Sequence, residues 1–262
     1  MPNNIFRGSG RRPRFNKRVL RYEWRNNGPV VTRALVAINV VVWLVEILLR
    51  FLAPTAMNAM VSRGALAPLL LFRQPWTVVT SMFLHDPTQI FHILFNMISL
   101  WFVGSVLEKM LGHWSYFALY LTSGIGGSLG VTLWARFAPS SMQALGISAY
   151  GASGAIFGLF AALLIVYRRA GVNTTGFIVL LAINFATPLL MPNEIAWQAH
   201  VGGFVLGGIF TMLMMWRAPG LRRLGIRART GLIGGGLIVV SLALTFWAGW
   251  GVVALAMGYI AG

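Results

Sequence analysis

Ser153 lies in the run Gly151-Ala152-Ser153-Gly154, and His200 lies in Ala199-His200-Val201-Gly202-Gly203. Each run opens or interrupts an otherwise apolar stretch. A serine hydroxyl becomes a nucleophile when a base takes its proton, and histidine is the commonest such base. Polar side chains at membrane depth are costly and are usually kept for function. The pair points to nucleophilic attack by a serine inside a bilayer.

The neighbours of both residues support a meeting. Gly154, Gly158 and Ala162 recur every four residues, as do Ala199, Gly203 and Gly207. Such small-residue stripes let two membrane helices approach closely. Gly151 counts with them as a packing glycine. If the stripes dock, the hydroxyl and the imidazole approach hydrogen-bond distance. By itself, a lone serine in a membrane helix more often bonds the carbonyl one turn back. The rival role for an intramembrane histidine is proton relay in a transporter.

His92 and Asn96 are four apart and share one helical face. Both side chains donate hydrogen bonds, and donors held in a dry site stabilise the oxyanion of amide hydrolysis. The N–H of Ser153 adds a third donor if the serine opens a helix. Phe157, one turn after Ser153, shares its face and either stacks on the imidazole or simply packs against lipid or core. The acids are Glu23, Glu46, Asp86, Glu108 and Glu194. None is well aligned with His200; Glu194 is nearest in sequence. A Ser153–His200 dyad without an acid is the expectation.

Composition sets the surroundings. The 262 residues are 57% hydrophobic and 10% charged, against about 25% charged in a soluble domain. Five acids are too few to solvate a globular surface. The apolar runs approach the roughly 20 residues that span a bilayer as helix. They fall at about 33–53, 90–108, 114–135, 150–167, 174–191, 196–216 and 231–258, each end good to roughly three residues. The fold class is an all-α membrane protein. The first run is too long for the apolar core of a signal peptide and is expected to remain as a span.

The net charge is +16, but the charges flank the apolar runs, which argues for lipid headgroups over nucleic acid. With seven spans, only Arg50, Arg63, Arg73 and Arg136 fall on the side opposite the N-terminus; the other 17 Lys and Arg fall on the N-terminal side. That bias puts the N-terminus in the cytoplasm and the C-terminus outside. His92, Ser153 and His200 then sit at similar shallow depth below the outer face. Three units follow. Residues 1–29 form a basic tail, without structure or on the headgroups. Residues 30–216 form a helical core with a long, partly helical outer loop at 54–89, in which Trp76 meets the headgroups. Residues 217–262 form a basic linker and a seventh helix.

Elimination narrows the chemistry. No H-E-x-x-H is present for a zinc protease, and the single aspartate, Asp86, rules out a two-aspartate protease. There is no cysteine. The Gly231–Gly236 run lacks the Lys and Ser/Thr of a phosphate loop and reads as packing. No metal or cofactor is required, and a serine protease acting within the membrane is expected.

Residues 72–210 resemble the rhomboid family of intramembrane serine proteases. Gly151-Ala152-Ser153-Gly154 resembles its G-x-S-G, and Ala199-His200-Val201-Gly202-Gly203 its A-H-x-x-G. His92-Ile93-Leu94-Phe95-Asn96 is similar to its H-x-x-x-N. Glu108-Lys109 with Gly112 resembles the end of its second core helix, where the glutamate is structural. Trp76 is followed by Thr77 where the family often has arginine, and Phe157 stands where some members carry tyrosine. The resemblance implies a six-helix core plus one C-terminal helix, and hydrolysis of single-pass transmembrane proteins near their outer membrane boundary. A bacterial inner membrane is the expected location. The alternative is a catalytically silent relative that binds membrane clients.

Overall fold

The long apolar runs form long helices in the computed structural model, which describes residues 17–26, 28–138, 145–190, 196–216 and 218–261. In chain order these are α1 (Lys17–Arg25), α2 (Val30–Leu52), α3 (Pro54–Gly64), α4 (Thr77–Thr80), α5 (Ile90–Leu111) and α6 (His113–Phe137). They continue with α7 (Ser153–Arg169), α8 (Thr175–Leu190), α9 (Trp197–Met215), α10 (Pro219–Arg222) and α11 (Ile226–Ala261). Five of them, α2, α5, α6, α9 and α11, are long and apolar enough to cross a membrane. Helix α7, with 17 residues, stands at the short limit for a span. It starts at Ser153 and not at 150, because Gly151 takes φ +129°, outside helical space.

Helix α6 is the hub. Its most apolar window is 67% buried, against 17% for α2. Tyr116, Leu119 and Tyr120 on α6 are fully enclosed, as are Leu100 and Leu107 on α5 and Leu159 on α7. Helix α2 turns Ile38, Val41, Leu44, Leu48 and Phe51 outward. In water that would be an aggregation hazard; in a bilayer it is the face that meets lipid.

Two turns at the same end of the bundle set the helix order. Gly112, at φ +78°, ends α5 and lets α6 start at once. Gly171, at φ +73°, follows the end of α7, and α8 starts four residues later, at Thr175. Residues 1–16 of the basic tail lie outside the described residues. Residues 17–25 of the tail are structured and form α1. Its Trp24 stacks on His113 with ring centroids 4.1 Å apart, and its Glu23 pairs with Arg33 at 2.6 Å.

The outer loop is partly helical, as its apolar content implies. Helices α3 and α4 alternate with 3₁₀ turns at Pro68–Leu70 and Ser81–Phe83. Trp76, half-exposed, donates its indole N–H to the Arg63 carbonyl at 2.7 Å, and Thr80 donates its hydroxyl to the Gly64 carbonyl at 2.9 Å. Leu66 and Ala149 exchange both backbone hydrogen bonds at 2.9 Å. This ties the loop to the segment leading into Ser153. The outer half of α11 braces the same loop: Phe72 packs edge-on against Phe246 and Trp250.

Candidate active site

Ser153 is the first residue of α7. Its position is fixed from both sides. The Gly151 N–H donates to the Ser81 carbonyl at 2.8 Å, and Ala152 is fully buried. A Cβ at position 151 would lie 3.2 Å from Nε2 of His92. Gly151 was expected to be a helix-packing residue. It lies outside the helix instead, and its lack of a side chain serves the positive φ and the close passage of His92.

His200 is in the first turn of α9. The start of α9 is held on α6 by Trp197, whose ring meets Trp134 at 4.8 Å. Gly203 and Gly207 let α9 lie directly on α7. A Cβ at Gly203 would overlap the Gly154 carbonyl, and one at Gly207 would come within 2.5 Å of the Gly158 Cα. A third stripe, which spacing alone left unremarked, lies on α6. Gly126 meets Gly202, and Gly130 meets the Gln198 carbonyl, both too closely for a side chain. Three backbones therefore converge below the site.

The result is a hydrogen bond between Ser153 Oγ and His200 Nε2 at 2.9 Å. Phe157 lies flat on the imidazole, with centroids 4.1 Å apart and planes 6° from parallel. Phe185 supports Phe157 edge-on at 4.8 Å. The Nδ1 of His200 is buried and has no partner among the described residues. Glu23, Glu46, Asp86 and Glu108 are engaged elsewhere, and Glu194 lies outside the described residues.

Ser153, His200, Phe157, His92 and Asn96 all line one cavity of about 510 Å³. Its wall is completed by Phe95 on α5 and by Leu180, Asn184 and Thr187 on α8. A chemist would read a serine next to a basic nitrogen, facing two side-chain donors across a space the size of a peptide segment. Such a set can attack a carbonyl and stabilise the oxyanion that forms.

The sequence reading missed His85. It is buried between α2 and α5, with Nε2 3.2 Å from the Asn96 side-chain nitrogen. Its ring centroid lies 5.4 Å from that of His92. Burial, and then the nearby His92, push its pKa down to about 3, so the ring is neutral near pH 7. Its backbone N–H is held by both carboxylate oxygens of Glu46, at 3.0 and 3.3 Å. A fourth histidine seven residues before His92 was the available signal.

Comparison with known proteins meets this geometry. Residues 73–217 match the family model described as the Rhomboid domain, which is more than half of the chain. The chain belongs to the rhomboid family. Its fold is accordingly the rhomboid all-α membrane bundle, a six-helix core followed by α11. RHOMBOID-like protein 1 of Arabidopsis thaliana is 36% identical over 54% of this chain and 35% of its own length. Rhomboid protease GluP of Bacillus subtilis is 36% identical over 52% of this chain and 25% of its own length. Rhomboid protein 1 of yeast mitochondria is 31% identical over 51% of this chain and 40% of its own length. The chain thus spans less than half of each of these relatives. The matched region contains every residue that lines the cavity except Leu66.

Proposed function

We propose that this rhomboid is an intramembrane serine endopeptidase that cuts single-pass transmembrane proteins near the outer face of the membrane. The observation that carries the proposal is the 2.9 Å contact between Ser153 Oγ and His200 Nε2 at the wall of a cavity that also holds two side-chain donors.

The substrate helix enters sideways between α5 and α8, where Phe95 and Leu180 face the cavity. The scissile peptide must leave its helical hydrogen bonds, so small and helix-breaking residues are favoured there. The Ser153 hydroxyl donates its proton to His200 Nε2 as the oxygen bonds to the carbonyl carbon. The charge that builds on the carbonyl oxygen is held by His92, Asn96 and the Ser153 N–H. The imidazolium, stacked on Phe157, gives its proton to the leaving amine as the C–N bond breaks. An acyl-enzyme remains. Water gives a proton to the same imidazole and attacks the ester, and the carboxylate product leaves with Ser153 restored.

The N-terminus lies in the cytoplasm, by the charge bias, and the bacterial inner membrane is the proposed site of action. The test is a membrane-tethered reporter in proteoliposomes with the wild-type chain and Ser153→Ala, the cut position being read by mass spectrometry. One cut near the outer boundary, absent with Ser153→Ala, is expected. An unchanged cut with Ser153→Ala removes the proposal.

A further inference from the structure

The mechanism above uses one face of Asn96 and leaves two fully buried groups without a task, His85 and Glu46. Neither touches the cavity wall. They form a chain that ends on Asn96. Glu46, on α2, takes the backbone N–H of His85 at 3.0 Å. The His85 ring then presents Nε2 to the Asn96 amide nitrogen at 3.2 Å.

The direction of this last bond fixes the state of the ring. An amide nitrogen only donates, so His85 Nε2 must accept, and the ring proton sits on Nδ1. Nδ1 is buried and has no partner among the described residues. Asn96 has two amide hydrogens, and one is committed to His85. That commitment fixes the rotation of the amide and leaves the second hydrogen with a single direction. Without the ring, the amide is free to turn over. A protonated ring would set two donors face to face, and the amide would have to offer its oxygen instead. The ionisable groups around His85 are His92, Glu46 and Asp86.

We infer that His85 is a positioning residue: its neutral ring accepts one hydrogen of Asn96 and so aims the other at the oxyanion, while Glu46 holds the backbone of His85 in place from α2. This rests on the protease reading above. It assigns α2, which contributes nothing to the cavity wall, a share in the order of the site.

The test is a double-mutant cycle on the full chain in proteoliposomes, together with ¹⁵N spectra of histidine-labelled protein. His85→Ala lowers kcat about 10-fold, a fraction of the 10²–10³ that loss of a whole oxyanion donor brings, with KM within about twofold. In an Asn96→Ala background the same change adds little. His85→Gln, whose side-chain oxygen accepts the Asn96 hydrogen, restores most of kcat. Glu46→Gln falls between them. Losses from His85→Ala and Asn96→Ala that multiply would overturn the inference while leaving the protease reading intact. If the wild-type chain shows no Ser153-dependent cleavage, the protease reading fails, and the spectra still decide the hydrogen bond. A His85 ring protonated on Nδ1, whose Nε2 signal moves on Asn96→Ala, upholds it. A ring protonated on Nε2 overturns it.

Discussion

Two buried histidine clusters stand at opposite ends of the bundle and differ in how far they are satisfied. At the end that carries α1, the inner one under the proposed topology, Glu108 accepts from the N–H groups of Val31 and Thr32 at 2.8 Å and from the Thr32 hydroxyl at 2.7 Å. Its other neighbour is Nδ1 of His113, at 2.5 Å. Nε2 of His113 meets the Trp24 carbonyl at 2.9 Å. Every one of these polar atoms has a partner, and the cluster caps the start of α2 on the α5–α6 turn. At the other end, the outer one under that topology, His200 has one partner, Ser153, and its Nδ1 has none among the described residues. Buried polar groups are normally paired, because an unpaired one costs about 1–3 kcal/mol. The Glu108–His113 cluster spends its hydrogen bonds on the fold. The outer one leaves them open to a visitor, and that difference separates scaffold from site more clearly than residue type does.

The contrast makes predictions of different kinds. The largest effect belongs to the outer cluster: Ser153→Ala and His200→Ala each lower cleavage by at least about 10³-fold, with thermal unfolding within a few degrees of wild type. The reverse pattern is expected at the inner cluster. Glu108→Ala strands two backbone N–H groups, a hydroxyl and an imidazole, and destabilises by about 3–5 kcal/mol, seen as a lower unfolding midpoint. Cleavage per folded molecule should be nearly unchanged.

Gly203→Ala joins the two behaviours. Its methyl meets the Gly154 carbonyl, which is backbone and cannot step aside. The two helices must separate, with a loss of about 1–3 kcal/mol and a drop in kcat from the lengthened Ser153–His200 contact. Phe157→Ala removes the stacked ring and lowers kcat about 10-fold, near the upper end of a 0.5–1.5 kcal/mol aromatic contact. Phe157→Tyr keeps the stack and changes kcat less than threefold.

The smallest effect is a slope with pH. The His85 pKa is about 3 in the folded chain, against its ordinary 6.5. The unfolded chain therefore binds the extra proton first as pH falls. The contribution of neutral His85 to stability is full above about pH 6.5 and is lost progressively towards pH 3, by at most about 1.4 kcal/mol per pH unit. Unfolding midpoints measured from pH 7 to 4 should fall less steeply in His85→Gln than in wild type.

Much of this arrangement was legible in the residues. Ser153 and His200 announce themselves because each is polar in an apolar run and adjoins a small-residue stripe. The start of α7 at Ser153 falls within the margin of the expected 150, but Gly151 was misread as one more packing glycine, because periodicity carries no sign of a positive φ. The α6 stripe at Gly126 and Gly130 has the same four-residue spacing, but no polar neighbour draws attention to it. The pairing of Glu46 with His85 was illegible for a different reason. Their bond joins residues 39 apart through a backbone N–H, and a backbone group leaves no mark on residue type. Trp24 on His113 is similar: a basic segment reads as tail until its tryptophan finds a ring to cover.

The most direct measurement of the central idea, that His200 activates Ser153, is covalent labelling with a fluorophosphonate followed by peptide mass spectrometry on the intact chain in a bilayer. The expected result is one adduct, on Ser153, whose rate of formation falls at least 100-fold in His200→Ala. Labelling at another serine, or labelling of Ser153 at an unchanged rate in His200→Ala, would contradict it.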